Sequence, residues 1–264
     1  MFALLAAGLL SVQSACSPPA GFRALLDQQE RYIVLGEVHG TVEAPAAFAQ
    51  MVCAAAERGP VTIALELPVN MQAQLDAFLA ADDRASAVTA LEGSPLADPR
   101  MNDGRSSQAM LAMMHEVRAL RSAGRDVAFH AFQPSAPRPP GLIQAWYELD
   151  MGYALSEAFY ARPSARVLAI IGSVHARKTG SARFPEIGLP AAAHLPSDAV
   201  ISLWLAEQGG SAWNCRQACA IHPVSVNYDV QARGLIMEPL DGGAYDGVLA
   251  LGPVTASPPV WPAP

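Results

Sequence analysis

Two apolar runs that end in the same way constrain the fold of this chain more than any other feature. "IVLGEVHG" at 33–40 and "AIIGSVHA" at 169–176 each consist of apolar residues followed by Gly, two further residues and His. A strand that is apolar along its whole length must be covered on both faces, as strands in parallel sheets are. The carboxyl ends of such strands lie at one edge of the sheet, where open α/β sheets bind their ligands. The repeat therefore predicts that His39 and His175 lie at the same edge.

The rest of the chain alternates between strand-like and helix-like patterns. This alternation is typical of βαβ units, and it predicts an α/β fold with a mainly parallel sheet covered by helices on both faces. The 264 residues, of which 52% are hydrophobic and 16% charged, suffice for one core. We expect a single α/β domain at 21–254 and an extended or disordered proline-rich tail at 255–264. The predicted strands are 32–36, 61–68, 125–133, 165–176, 199–207 and 245–252, and the predicted helices are 43–58, two or three between 70 and 123, and 141–161.

The first residues of the chain have features of a signal sequence. An apolar run of the length of a signal-peptide core is followed by small residues and Cys16, although no Lys or Arg precedes Arg23. Cys16 also stands where bacterial lipoproteins carry their lipid. We expect residues 1–20 to be a signal peptide or lipoprotein signal of an exported bacterial protein, either periplasmic or anchored to the membrane through Cys16. The alternative is a buried N-terminal helix.

The charged residues narrow the range of partners. The net charge is −7 and no basic run is present, which argues against binding to nucleic acid. All basic residues except Lys178 are arginines, and this one lysine follows His175 by three positions. Arg177 and Lys178 are therefore candidates to balance carboxylates or to stabilise an oxyanion at the predicted edge. For Lys178 the alternative is a solvated loop residue.

The cysteines are compatible with an oxidising compartment. Cys215 and Cys219 lie four residues apart and are predicted to form a disulfide, with a metal-binding pair as the alternative. Cys53 lies in an apolar helical pattern, so we expect it to be an ordinary core residue.

Two glutamates follow the apolar strands closely. Side chains alternate along an extended segment, so Glu37 is predicted to point the same way as His39, and Glu66 ends the second strand in a similar manner. A buried carboxylate without a partner is costly, so each requires a cation, a proton or hydrogen bonds. In "MNDGRSS", Asp103 and Arg105 are further candidates to bind substrate or stabilise charge, and an ordinary turn is the alternative for this segment.

These residues also carry a family resemblance. "LGEVHG", "ALELP", the late "IGSVHARK" and "YDGVLALGPV" together resemble the superfamily of ChaN-like haem-binding uptake proteins, erythromycin esterases and Tiki (TraB) proteins, over about residues 30–252. The resemblance implies an α/β sheet with the two Gly-x-x-His elements and the glutamates lining one cleft. Carried over to this chain, the implied site residues are Glu37, His39, Glu66 and His175.

The leading functional prediction is a hydrolase that cleaves an ester or amide bond of a small molecule or peptide. Water held by His39, Glu37 and Glu66 attacks the carbonyl, and His175 with Arg177 or Lys178 stabilises the developing charge. A divalent metal held by His39, His175 and Glu66 would activate the same water, although no His-Glu-x-x-His motif is present.

The alternative is an exported protein, with or without a lipid anchor, that binds haem or iron without catalysis. Tyr147, Tyr153 and Tyr160 of the predicted helix 141–161 are the candidate iron ligands for this function. A third possibility is a member of the superfamily whose site has decayed, but the four site residues are all present in order.

Overall fold

A seven-stranded sheet forms the centre of the protein. The computed structural model describes residues 16–98, 102–135 and 143–261. The strands of the sheet are β1 (Tyr32–Glu37), β2 (Val61–Pro68), β3 (Val127–Gln133), β4 (Arg166–Gly172), β5 (Val200–Leu205), β8 (Gly234–Ile236) and β9 (Gly247–Ala250), while β6 (Ser211–Cys215) and β7 (Cys219–Pro223) form a separate hairpin. The strand order is β3-β2-β4-β1-β5-β9-β8, and only β8 is antiparallel to its neighbour. The mainly parallel α/β fold predicted from the sequence is confirmed.

Helices cover both faces of this sheet. They are α1 (Phe22–Leu25), α2 (Glu43–Ala56), α3 (Gln72–Ala80), α4 (Arg84–Ala90), α5 (Gln108–Ser122) and α6 (Ile143–Ala161). Ile33 and Leu35 of β1 join the core formed with α2 to α5, whereas Tyr32 and Val34 join the core formed with α6. Both sets of side chains are buried, which is why the strand is apolar at consecutive positions. No helix in the described parts of the chain is long and apolar enough to cross a membrane.

The strand order places the predicted site residues on adjacent strands. β4 lies between β2 and β1, so the ends of these three strands are neighbours. Glu37 at the end of β1 is in register with Gly172 at the end of β4. Glu66 on β2 lies on the other side of β4.

The second Gly-x-x-His element is a turn, not the end of a strand. We predicted a strand over 165–176, but β4 ends at Gly172. The amide of His175 donates to the carbonyl of Gly172 at 2.9 Å, and this bond closes the turn. The amide of Ser173 donates to the carbonyl of Glu37 at 2.9 Å, which holds the turn against β1.

The sequence analysis missed three short strands. The hairpin of β6 and β7 alternates partly buried and exposed residues, and β8 is only three residues long. Strands of this kind pack on one face only or are too short to give a continuous apolar run.

Two disulfides are present among the described residues. The predicted bond between Cys215 and Cys219 joins β6 to β7, which confirms that prediction. The interpretation of Cys53 as an ordinary core residue is wrong, because Cys53 is bonded to Cys16 across 37 positions of the chain. A lipid thioether would need the same sulfur of Cys16. The predicted lipid anchor therefore requires that this disulfide be absent, and residues 1–15 of the predicted signal lie outside the described residues.

The segment after residue 254 is bonded to the domain. The amide of Val42 donates to the carbonyl of Thr255 at 2.9 Å, near the start of α2. The amides of Gln108 and Ala109 donate to Pro258 and to the buried Ser257 at the start of α5. Residues 255–261 thus satisfy backbone groups at the starts of two helices, which otherwise lack partners within the helix.

Replacement of Gly36 tests the close contact between β1 and the turn that carries His175. A Cβ at position 36 would lie 2.7 Å from Cβ of Ala176 and 3.0 Å from Cα of Ser173. We expect Gly36→Ala to lower the free energy of unfolding by about 1–3 kcal/mol in urea denaturation, because the turn must move.

Gly59→Ala is the matched control. An added Cβ at position 59 has no neighbour within 4 Å, so this change should alter the free energy of unfolding by less than about 0.5 kcal/mol. Equal effects of the two substitutions would contradict the packing described here.

Candidate active site

Two histidines at the carboxyl edge of the sheet are each held by a carboxylate. Nδ1 of His39 is hydrogen-bonded to Oε1 of Glu37, which lies two residues earlier on β1. Nδ1 of His175 lies 2.7 Å from Oε1 of Glu148 on α6. A carboxylate on Nδ1 fixes the orientation of an imidazole ring and leaves Nε2 for other contacts.

The carboxylate of Glu66 lies between the two free imidazole nitrogens. Nε2 of His39 is 3.5 Å from Oε2 of Glu66, and Nε2 of His175 is 4.0 Å from Oε1. Oε2 also accepts the backbone N–H of Gly172 at 2.7 Å. The four residues predicted from the sequence are therefore brought together around Glu66.

Gly172 leaves the space in which both rings fit. A Cβ at this position would lie 3.3 Å from Cδ2 of His175, 3.4 Å from Nε2 of His39 and 3.6 Å from Oε2 of Glu66. The glycine of the second Gly-x-x-His element thus lies directly beneath the cluster.

The second pair of candidates, Asp103 and Arg105, also reaches this cluster. Nη1 of Arg105 lies 3.3 Å from Oε1 of Glu66. Nε of Arg105 donates to the two carboxylate oxygens of Asp103 at 3.1 and 3.0 Å. Asp103 therefore orients the guanidinium, and Arg105 supplies a permanent positive charge next to Glu66.

Arg177 and Lys178 have other partners. Arg177 is paired with Asp241, and Nζ of Lys178 lies 2.6 Å from Oδ1 of Asp246. The backbone amide of Lys178 donates to the carbonyl of Ala244 at 2.8 Å, so these residues tie the turn to the segment before β9. Both side chains are thus directed to carboxylates other than Glu66, and the charge-stabilising role predicted for them stays a prediction.

Glu148 is the site residue that the sequence analysis missed. Its side chain is fully buried, Oε2 accepts the amide of Ala191 at 2.9 Å, and Oε1 accepts Nε2 of Gln144 at 2.9 Å. The sequence contained one indication of this role: Glu148 is an acidic residue next to Tyr147 and three positions before Met151, both of which are buried on the same helix. A carboxylate in such surroundings needs a specific partner, and the partner is His175.

The charges of the cluster shift the pKa values of its members. Burial lowers the pKa of His39, but Glu37 and Glu66 outweigh burial and raise it to about 10. Burial raises the pKa of Glu66, but His39, His175 and Arg105 hold it well below its usual range. Burial also lowers the pKa of His175, and the bond to Glu148 with the charge of Glu66 raises it above its usual value. At neutral pH His39 is therefore an imidazolium and Glu66 a carboxylate.

The hairpin of β6 and β7 packs directly on the segments that carry the site. The amide of Trp213 donates to the carbonyl of Gly40 at 2.9 Å, and its Nε1 donates to the carbonyl and side-chain oxygens of Asn102 at 3.1 and 3.0 Å. Gly40 and Gly104 have φ values of +76° and +100°. A Cβ on either would lie within 3 Å of the carbonyl oxygen of Trp213, so both positions require glycine.

The predicted metal ligands His39, His175 and Glu66 do not fit a metal ion in this arrangement. Oε2 of Glu66 already accepts the amide of Gly172, and Oε1 faces the guanidinium of Arg105, which would repel a cation. Within the parts of the chain that the structure describes, no group of three or more His, Cys, Asp or Glu residues could hold a metal ion. We therefore derive no chemical step through a metal.

Comparisons with known proteins identify the fold. No family model matches the sequence, and no curated protein matches it. A Bacillus cereus protein of known structure superposes with a TM-score of 0.64 at 11% identity, covering 89% of this chain and 91% of that protein. An erythromycin esterase, EreC, in its open conformation gives a TM-score of 0.55 at 12% identity, covering 89% and 78% of the two chains. A succinoglycan biosynthesis protein gives 0.55 at 9% identity, covering 89% and 90%.

This chain thus has the α/β fold found in an erythromycin esterase. The resemblance inferred from its short motifs is confirmed at the level of the fold, and identities this low establish the fold alone.

Replacement of His39 by Gln tests the charge on this histidine. A histidine whose pKa rises from 6.5 to about 10 on folding stabilises the folded state fully below pH 6.5 and loses that contribution as the pH rises through 10. The free energy of unfolding of the wild type should therefore exceed that of His39→Gln most at pH 6.5 and by progressively less up to pH 10.

The control is His222→Gln on β7, whose ring is bonded to the carbonyl of Ala218 and not to a carboxylate. A pH dependence of the same sign and size in this control would mean that the effect does not come from the charges around Glu66. A difference for His39→Gln that grows with pH would show that His39 is not held as an imidazolium.

Proposed function

We propose that this protein is a hydrolase in which a histidine activates water to cleave an ester or amide bond. The observation that carries the proposal is the convergence of Nε2 of His39 and Nε2 of His175 on Glu66, each ring being fixed by its own carboxylate. An erythromycin esterase has the same fold, but one fold hosts many functions, so the proposal rests on these residues and not on the fold.

The two histidines take different roles in this proposal. Both rings have raised pKa values, although burial and, to a smaller extent, the positive charge of His39 oppose protonation of His175. The rings differ at Nε2, which lies 3.5 Å from Glu66 in His39 and 4.0 Å from Glu66 in His175, so the Nε2 of His175 is the one without a close acceptor. We therefore assign the role of base to His175. This reverses the roles in the sequence-based prediction, in which His39 activated the water.

The geometry then supports one reaction sequence. Because Nδ1–H of His175 donates to Glu148, the Nε2 lone pair of the neutral ring can take a proton from water. The resulting hydroxide attacks the carbonyl carbon and forms a tetrahedral oxyanion. Nε2–H of His39 and the guanidinium of Arg105 supply positive charge to that oxyanion. The protonated His175 then gives its proton to the leaving group.

The direct test is hydrolysis of a panel of activated esters and anilides. We expect His175→Ala to lower kcat/KM by about 100-fold or more, since it removes the general base. Arg105→Ala should lower it by about 10-fold or more through loss of oxyanion stabilisation. His222→Ala is the matched control and should behave as the wild type. Absence of turnover by the wild type on the whole panel, or full activity of His175→Ala, would refute the proposal.

A chelator provides a second arm of this test. Because the residues around Glu66 do not fit a metal ion, dialysis against EDTA should leave the rate unchanged. A rate that is lost on dialysis and restored by a divalent cation would contradict the metal-free reaction.

Glu148→Gln tests the role of Glu148 as a positioning residue. The carboxylate raises the pKa of His175, so its removal should shift the low-pH limb of the rate profile toward lower pH. The value of kcat should also fall, because the ring is no longer held by a charged acceptor.

Glu157→Gln changes an exposed acid on the same helix and is the control for the rate profile. An unshifted profile in Glu148→Gln would mean that His175 is not the titrating base.

Haem binding is the alternative prediction, and it requires its own measurement. Of the three tyrosines considered, Tyr153 and Tyr160 are 66% and 75% exposed. Tyr147 is buried, with its ring centroid 5.9 Å from that of His175. A Soret band on titration with haem that is lost in Tyr147→Phe would favour this function over hydrolysis.

A further inference from the structure

A second cavity borders the turn that carries His175. Its volume is about 610 Å³, and Ser173, Val174 and Arg177 of the turn form part of its wall. The hydroxyl of Tyr245 donates to the carbonyl of Ser173 at 2.7 Å and connects the floor of the cavity to the turn. Other residues of its wall come from the loop at 180–184, from the end of β5 and the residues after it, from Asn227, and from 240–245.

Aromatic rings line much of this cavity. Phe184, Trp204 and Tyr245 contribute their rings, and two of them have a guanidinium above the ring face. The guanidinium carbon of Arg183 lies 5.3 Å from the ring centroid of Phe184, and that of Arg177 lies 5.7 Å from the centroid of Tyr245. Such walls offer flat apolar surfaces with planar hydrogen-bond donors beside them.

The charged residues of the cavity balance each other. Arg177 is paired with Asp241, and Arg183 and Glu207 also line the cavity, so its wall carries two positive and two negative groups. Asn227 adds an amide, whose Nδ2 donates to Oε2 of Glu207 at 2.5 Å. A ligand with a net charge of either sign would meet two groups of its own sign, so this cavity favours a neutral polar molecule.

Asp241 is held in an unusual backbone conformation at this cavity. Its φ of +49° makes it the one non-glycine residue with positive φ among those the structure describes. Its carboxylate is paired with Arg177, although the side chain remains 63% exposed. Asp adopts this left-handed conformation more readily than most residues, and here the carboxylate lies beside Arg177 at the wall of the cavity.

We propose that this cavity binds a neutral sugar ring, and that the ring is a glycosyl portion of the substrate. That the cavity binds a sugar is independent of the proposed hydrolytic function. That the sugar belongs to the substrate rests on that function. The C–H face of a pyranose packs on an aromatic ring such as that of Trp204, and its hydroxyls donate and accept at once. Carboxylate, amide and guanidinium groups together match such hydroxyls, whereas a carboxylate or a guanidinium alone would favour a ligand of opposite charge.

Binding is tested with a panel of methyl glycosides by saturation-transfer NMR and titration. The panel contains the glucoside, the galactoside, the mannoside and the N-acetylglucosaminide, and benzoate and choline serve as charged comparators. We expect at least one glycoside to bind, and Trp204→Ala to weaken its binding by about tenfold, because the stacking surface is lost. Asn227→Ala should weaken it as well, which provides a second variant if Trp204→Ala folds poorly.

Trp146→Ala is the matched control. This residue is 42% exposed on α6 and does not line the cavity, so its replacement should leave glycoside binding unchanged. Binding of none of the glycosides, tighter binding of benzoate or choline, or equal binding by wild type and Trp204→Ala would overturn the proposal.

The outcome is separable from that of the proposed function. His175→Ala should bind the glycoside as the wild type does, because binding requires no general base. If the glycoside binds but no acetylated glycoside is hydrolysed by the wild type, the cavity is a sugar site and its assignment to a substrate is wrong. If activated esters are hydrolysed and no glycoside binds, the hydrolase stands and the sugar site is rejected.

Discussion

The buried carboxylate of Glu66 is the constraint on which the rest of the site depends. A carboxylate at the end of a strand inside an α/β core would be far too costly to ionise without partners. Here the compensation comes from two imidazoles, one guanidinium and one backbone N–H, which are supplied by three segments of the chain: the end of β1, the end of β4 with its turn, and the loop of Arg105. The fold is therefore organised to bring β1, β4 and the loop of Arg105 to the end of β2.

The same constraint explains why two similar histidines differ in chemistry. His39 lies between two acids and keeps its proton, since loss of that proton would leave Glu37 and Glu66 as neighbouring buried negative charges. His175 also lies between two carboxylates, Glu148 and Glu66, and its pKa is raised as well, although burial and the positive charge of His39 oppose its protonation. The two rings differ at Nε2, which lies 3.5 Å from Glu66 in His39 and 4.0 Å in His175, and the proposed roles of acid and base follow from that difference.

Much of this arrangement could be predicted from the sequence. The residues that were missed or misassigned have contacts that no local sequence pattern indicates. The apolar runs ending in Gly-x-x-His predicted adjacent parallel strands, and strand adjacency was enough to bring Glu37, His39, Glu66 and His175 together. Glu148 acts through a contact across 27 positions between a helix and a turn, for which no local pattern exists. Lys178 was a candidate because it is the one lysine of the chain. The rarity of a residue does not indicate where its side chain points, and the ammonium of Lys178 is paired with Asp246.

The surroundings of the site also determine from which side a substrate can approach. Toward the hairpin, the carbonyl of Trp213 meets the backbone at Gly40 and Gly104 with no space for even a methyl group. That side is closed by backbone contacts, and the disulfide between Cys215 and Cys219 limits movement of the hairpin that makes them. Toward the turn at 173–177 the boundary is formed by side chains and by a cavity of about 610 Å³. Side chains change rotamer far more readily than a paired backbone moves. If the protein acts as proposed, we therefore expect the larger portion of its substrate on the side of that turn.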